Sequence, residues 1–291
     1  QMCIRDSPKS DYVLKEGRPV GLVRGLTADG FYTTDDFTYA NGVYTLKEGV
    51  ADVSSAVFPN YHLHNGMNER PAGQLAYPGM AKFKDLNDDG IINDDDVDVI
   101  GDMTPVHTGG FNINATYKNF DLGLYFNWSY GNEIYNVNKL AALYGYKEGA
   151  VYENKLSIVK DCYKIYDVVN GELVALTTPE QLNAANANAK LPLAYSENGY
   201  VSTLGIEDGS YLRLNTLTLG YTLPKSMLQK AGISNLRVYG SIYNVFTITG
   251  YSGIDAEVST STSTKTYPQL GMDWGTYPRA RSFVLGVNLS F

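Results

Sequence analysis

A stretch of strictly alternating side chains, beginning near Gly109, most narrows what this chain can fold into. In Phe111-Asn112-Ile113-Asn114-Ala115-Thr116-Tyr117 the apolar residues take the odd positions and the polar ones lie between them. Past Lys118-Asn119 the phase reverses. Phe120, Leu122, Leu124, Phe126, Trp128 and Tyr130 then share one face, with Asp121, Gly123, Tyr125, Asn127 and Ser129 on the other. A two-residue period is that of an extended strand. Each run is about 10 residues long, closer to the 9 to 11 that cross a bilayer than to the 5 or 6 usual in globular sheets. The two runs read as a hairpin of long strands, 109–118 and 120–131.

Three more strands of that kind come later in the chain. Tyr211 to Leu223 opens with Leu212 and Leu214 on one face and continues with Leu217, Leu219 and Tyr221, the shift expected of a β-bulge near Asn215. Leu236, Val238, Ile242 and Phe246 line one face of 235–247. In the last, Phe283, Leu285, Val287, Leu289 and Phe291 alternate with Ser282, Val284, Gly286, Asn288 and Ser290. The links alternate as well. Residues 118–119 and 224–234 are short, the second with a helical turn begun by Pro224 at its first position; residues 132–210 and 248–278 are long. Short turns at one end and long loops at the other suit an outer-membrane barrel, with the turns periplasmic and the loops extracellular. A soluble sandwich rarely carries structureless loops of such length.

No run of 18 or more apolar residues occurs, which excludes a helical membrane span and leaves strands open. The expected fold class is therefore all-β: an antiparallel transmembrane β-barrel, present as an incomplete C-terminal part with long extracellular loops. Five strands cannot close a membrane barrel, which needs about 8, and an open edge in lipid leaves backbone groups unsatisfied. Residues 11–25 offer Tyr12-Val13-Leu14 and Val20-Gly21-Leu22-Val23, interrupted by Gly17, Pro19 and Gly21. The expected layout is a non-native scar over 1–10, candidate strands and an acidic extracellular loop over 11–108, and barrel strands over 109–291. Gln1 to Ser7 joins poorly to the residues after it and has no apolar core of a signal peptide.

The net charge of -8 has one source. Residues 85–102 hold Asp85, Asp88, Asp89, Asp94, Asp95, Asp96, Asp98 and Asp102 and no Lys or Arg, and the remainder of the chain is electrically balanced. No basic stripe is left for nucleic acid. Within this stretch Asp85, Asn87 and Asp89 stand at positions 1, 3 and 5 of a 12-residue calcium loop. Gly90 takes the turn, Ile91 offers its backbone carbonyl, and Asp96 closes the loop where sensors carry Glu. A structural Ca²⁺ site and a solvated acidic loop are both open readings.

Other constellations carry less. His62 and His64 have no third ligand nearby in sequence and read as loop residues. Asp255 and Glu257 could imitate a glycosidase carboxylate pair but lie beside a Ser/Thr-rich stretch, Ser259 to Thr264, and read as a solvated external loop. Cys3 and Cys162 set no disulfide framework. The 24 tyrosines suit aromatic girdles or a packed loop core. Tyr144, Tyr146, Tyr152, Tyr195, Tyr200, Tyr267 and Trp274 are loop aromatics available to a ligand. No nucleophile elbow, phosphate loop or Cys/His metal spacing appears, so no enzyme is expected.

Several segments, in order along the chain, resemble one known family, the TonB-linked outer-membrane receptors of the SusC/RagA type. Tyr12 to Gly21 resembles their "I-x-E-G-x-P-x-G" segment, and Phe83 to Gly90 with Val99-Ile100-Gly101 their acidic loop. Gly109-Gly110-Phe111 through Asp121-Leu122, and Tyr130 to Asn136, are similar to the next hairpin. Ser210 to Leu214, Leu219 to Pro224, Leu236 to Tyr239, Asn244-Val245-Phe246-Thr247 and Tyr277-Pro278-Arg279 are similar to the strands near their end. The resemblance implies a barrel of about 22 strands with an N-terminal plug, energised through TonB, covered by a SusD-like surface lipoprotein, and embedded in outer-membrane lipid of a Gram-negative bacterium. It implies uptake of oligosaccharides, or in some members peptides. Phe283, Leu285, Val287, Leu289 and Phe291 resemble the signal read by barrel insertases. The plug and the TonB-contacting segment are not in this chain. A passive porin or an adhesin, and a dockerin-like module of a secreted hydrolase, are the rival readings.

Overall fold

The structure is a computed structural model. It describes residues 12–13, 16–55, 70–144, 156–194, 201–229, 232–258 and 271–291. The expectations on Gln1 to Ser7, His62, His64, Tyr146, Tyr152, Tyr195, Tyr200, Ser259 to Thr264 and Tyr267 lie outside the described residues. Among those described, no helix is long and apolar enough to cross a membrane.

The alternating segments form the strands they announce: β1 His107–Tyr117, β2 Phe120–Tyr130, β3 Tyr211–Thr222, β4 Asn235–Thr249 and β5 Ser282–Ser290. They make one five-stranded sheet in chain order, antiparallel throughout. Lys118 turns β1 into β2 with φ of 54°. A single helical turn, α1 Lys225–Leu228, lies between β3 and β4. Pro224 is its N-cap rather than its first residue, with ψ of 137° still extended.

The register carries the face assignment across all five strands. Phe111 lies opposite Phe126, Phe126 opposite Leu214, and Leu214 opposite Phe246. Ile113, Leu124, Leu217, Ile242 and Phe283 make a second such row. The register shifts beside Asn215, leaving it unpaired, at the place where the phase of the sequence changed. The bulge is what keeps Leu212 and Leu214 on the same face as Leu217 and Leu219.

The chain divides into two compact units, and the sheet belongs to the second, 102–135 with 207–291. The first combines 1–101 with 136–206. It therefore draws on both sides of residue 108, and much of the long connection 132–210 is part of a built unit. Its core includes Leu26, Tyr32, Phe37, Tyr44, Tyr77, Phe83, Ile92, Tyr163 and Leu182. The rings of Phe37 and Tyr44 meet edge to face at 5.9 Å, and those of Tyr44 and Tyr77 at 5.5 Å. Two of the buried tyrosines donate their hydroxyls to backbone carbonyls, Tyr32 to Ala51 (2.7 Å) and Tyr44 to Thr177 (3.1 Å). Two hairpins, 37–46 and 166–175, turn on Asn41-Gly42 and Asn170-Gly171, whose positive φ values suit a tight two-residue turn. The candidates in residues 11–25 appear as short strands, Tyr12–Val13 and Leu22–Gly25, beside Asp98–Asp102.

Candidate functional site

The sheet has two chemically opposite faces. One presents Phe111, Ile113, Leu124, Phe126, Leu217, Leu219, Val238, Ile242, Phe283, Leu285, Val287 and Leu289, continuous from β1 to β5. This face is exposed, with Phe283 at 70% and Leu285 at 88%. A soluble surface rarely leaves so wide an apolar patch bare. Aromatic residues stand at its two ends. His107 stacks on Tyr130 at 5.1 Å and accepts the Trp128 indole N–H at 3.0 Å, while Phe120 and Tyr221 pack at 4.7 Å at the opposite end. Such a band with aromatic rims matches the lipid face of a membrane strand.

The other face is polar. Asn112, Asn114, Thr116, Asp121, Tyr125, Thr216, Thr218 and Arg237 line a groove there of about 360 Å³. Arg237 on β4 reaches across β3 to Asp121 on β2, Nε to Oδ1 at 2.9 Å. Gly220 lies between them on β3 and has no side chain in the way.

Toward the opposite end of this face lies a network of four charges. Arg213 on β3 is 2% exposed, far below what an unpaired guanidinium tolerates. It bonds Asp255, Glu257 at 3.0 Å and the Thr247 hydroxyl at 2.9 Å. Arg279 bonds the same two carboxylates, Asp255 at 3.2 Å and Glu257 at 3.1 Å. Charges of alternating sign make burial tolerable where a single ion would not be. Asp255 and Glu257 are thus no solvated pair: Asp255 is 7% exposed, and both are held by arginines, so neither is placed as a glycosidase acid. Beside the network, Tyr251 donates to Asp273 at 2.7 Å. Burial, and then the bond to the Asp273 carboxylate, push the Tyr251 phenol well above its usual value. Burial alone would raise Asp273, but the Tyr251 hydroxyl and the N–H groups of Gly275 and Thr276 outweigh it and hold its carboxyl low.

A groove of about 690 Å³ adjoins the network, lined by Asn127, Ser129 and Tyr211 from the sheet and by Glu257, Val258 and Arg279 from the segments after β4 and before β5. Trp274 is 48% exposed.

The acidic loop is ordered by its own side chains. Asp85 accepts from the Asp89 N–H (3.3 Å) and the Gly90 N–H (2.7 Å), Asn87 from Asp89 N–H (3.0 Å), and Asp89 from Ile91 N–H (2.8 Å). Asp88 and Gly90 have φ of 59° and 83°. Asp96 is fully buried, and its two oxygens accept from Leu86 and Asn93 N–H, clasping the loop's two ends. A three-residue 3-10 turn, Asp94–Asp96, stands where the exiting helix of a calcium loop would begin. Among the described residues no three His, Cys, Asp or Glu side chains are gathered as a metal ion would need.

Phe283, Leu285, Val287 and Leu289 share the apolar face of β5, and Phe291 directly follows that strand. The Arg213 network escaped sequence reading because Arg213 stands 42 residues from Asp255 and 44 from Glu257; the one visible signal was an arginine at an inward position of its strand.

No family model matches the chain. Among curated proteins it is 30% identical over 284 residues to TonB-dependent receptor P3 of Formosa agariphila, covering 96% of this chain and 23% of that protein. It is 28% identical over 256 residues to TonB-dependent receptor SusC of Bacteroides thetaiotaomicron, covering 86% of this chain and 20% of SusC. The chain thus spans between a fifth and a quarter of the length of these relatives. Among solved structures its fold is similar to chains of the RagAB peptide transporter (TM-score 0.58, 19% identity) and of the RagAB peptide importer in its closed-closed state (TM-score 0.59, 19% identity). These cover 97% of this chain and 24% and 25% of the respective partners in the comparison.

Proposed function

The chain belongs to the SusC/RagA family of TonB-dependent receptors, outer-membrane proteins of Gram-negative bacteria, and from this we propose that it forms part of the wall of a nutrient-importing barrel. The observation that carries this reading is the two-faced sheet: an exposed apolar band over five antiparallel strands, backed by a polar wall with paired charges. In this reading lipid covers the apolar band and the polar face lines the lumen. The short links between β1 and β2 and between β3 and β4 lie on the periplasmic side.

The work of such a receptor is binding and passage, not bond chemistry. We assign its cargo to oligosaccharides or peptides, its energy to TonB acting through a plug elsewhere in the longer protein, and its outer cover to a SusD-like lipoprotein. The apolar row of β5 would serve as the strand that the insertase reads. The 85–96 loop would take a Ca²⁺ through Asp85, Asn87, Asp89 and the Ile91 carbonyl, with Asp96 as clasp. Its Asx bonds already fold the backbone around that side, and an ion would draw the three side chains together.

Copurification tests the import reading. The full receptor, extracted from outer membranes in mild detergent, should bring down a lipoprotein of the SusD type. A receptor that emerges alone, and passes small solutes without TonB, would be a porin instead.

A further inference from the structure

Glycine weakens the interior of a strand, and where it stands there something often approaches its backbone closely. The polar face of the sheet carries Gly110, Gly123, Gly220 and Gly286. A neighbour accounts for three of them. A Cβ on Gly110 would stand 3.0 Å from the Phe126 carbonyl oxygen and 3.3 Å from the Tyr125 ring. One on Gly220 would meet the Asp121–Arg237 pair, and one on Gly286 would run into the ring of Tyr239. Gly123 has no such neighbour. The nearest atom to its Cβ position is Asn114 Oδ1 at 3.4 Å, an ordinary contact, and its φ lies outside the left-handed region. Nothing within the sheet calls for glycine at this position, and the missing side chain leaves a hollow.

That hollow is the floor of the groove of about 360 Å³, a volume toward the lower end of the ~300–1,000 Å³ of small-molecule sites. The register sets Asn114 on one side of Gly123 and Thr218 on the other, with Asp121 and Tyr125 two residues away along β2. The groups around it are free to bond. Among the described residues, the side chains of Asn112, Asn114, Thr116 and Thr216 have no hydrogen-bond partner within the protein. Each carboxamide and each hydroxyl can both donate and accept. The charges at the end of the groove, Asp121 and Arg237, are bonded to each other. Tyr125, 41% exposed, leans over Gly110 and offers a ring beside the hollow.

A ligand matched to this set is uncharged, carries donors and acceptors around its rim, and has an apolar face to lay on a tyrosine. A pyranose ring meets all three conditions. A peptide has terminal charges that find no free partner here, and its main chain has no such face. Water would pair with the amides and hydroxyls, but it needs no glycine beneath them. We propose that the hollow over Gly123 seats one uncharged sugar ring of an oligosaccharide. This rests on the reading of the polar face as the lumen of an importer, and it narrows the cargo from glycan or peptide to glycan.

The test titrates the full receptor in detergent, by calorimetry, with unbranched neutral hexasaccharides of glucose, mannose and xylose and with hexa-alanine capped at both ends. At least one glycan should bind, and the capped peptide should not. Gly123→Leu fills the hollow without adding charge and should weaken that glycan by about tenfold or more. Should Gly123→Leu fail to assemble, as judged by heat-modifiable migration, Asn114→Leu removes one amide and is read the same way. Binding of no glycan, an affinity within about twofold of the parent, or equal binding of the peptide overturns the seat. Access is read at Thr116→Cys, in a receptor whose native cysteines, Cys3 and Cys162 among them, are replaced by serine. A water-soluble maleimide should label it, and the bound glycan should slow the labelling. A position that the reagent never reaches is covered by another part of the protein, which also overturns the seat. The reading on which the seat rests fails separately: the face assignment if Leu285→Cys takes the reagent as readily as Thr218→Cys, and import if the receptor copurifies alone.

Discussion

Arg237 grips Asp121 from two strands away, Nε to Oδ1 at 2.9 Å, and the residue it crosses is Gly220. A Cβ added at Gly220 would stand 2.6 Å from Asp121 Oδ2, so any side chain there displaces the bridge. Because the two side chains are 24% and 34% exposed, solvent screens the pair. Asp121→Asn should cost about 1 kcal/mol, and Gly220→Val more, through clash as well as loss of the pair. The urea midpoint of the folded barrel, read by heat-modifiable migration, checks the order.

The two faces predict opposite tolerance on one strand. Leu285→Arg puts a charge into lipid and should cost about 2 to 4 kcal/mol if the position lies near the bilayer midplane. Asn288→Asp on the polar face, directly opposite Arg237, should assemble normally. The measurement is the folded fraction of each variant in outer membranes, and equal assembly of the two would contradict the face assignment.

The first unit should lose stability in acid through Asp36. Burial would raise this carboxyl, but the bond from Lys82 at 2.7 Å and the Thr33 N–H outweigh it and hold its pKa below the ordinary value. A depressed folded pKa stabilises above the unfolded carboxylate range, near ~4, and that contribution vanishes as pH falls through the folded value. The melting-temperature advantage of the parent over Asp36→Asn should therefore be present at neutral pH and shrink steadily as the pH falls below ~4.

Cys162 should be inert while the protein is folded. Burial first, and the nearby Asp161 charge second, push its thiol up to about 11. Near neutral pH the thiolate that would react is scarce. Maleimide should modify Cys162 slowly in the native protein and rapidly after unfolding in urea, as tracked by mass spectrometry.

Calorimetry decides the acidic loop. Titration of the folded receptor with calcium should release or absorb heat that Asp89→Ala abolishes. Silence at millimolar calcium would leave Asp85, Asn87 and Asp89 as a self-bonded turn.

The strands were legible because lipid on one side and water on the other impose a two-residue period that a linear sequence displays directly. Even the bulge left its mark, as a change of phase at Asn215. The first unit was illegible for the opposite reason. Its core joins residues from 1–101 and 136–206, and contacts such as Tyr44 to Thr177, 133 positions apart, have no local pattern. The same holds for Arg213 and Asp255, 42 positions apart, whose pairing turned an expected solvated loop into a buried network. The acidic loop was legible as a set of donors, but the clasp formed by Asp96 depends on a burial that spacing does not reveal.

The unpaired Asn215 has a practical corollary for labelling studies of this wall. On β3 the lipid-side residues carry odd numbers from Leu217 to Tyr221 and even numbers at Leu212 and Leu214. On β4 the irregularity spans two residues, Asn244 and Val245, so Val238, Ile242, Phe246 and Ile248 keep one parity throughout. A spin-label scan stepping every second residue would therefore jump from membrane to water midway along β3 while staying in one phase along β4. Read without that offset, a continuous strand would look as though it had turned over inside the bilayer.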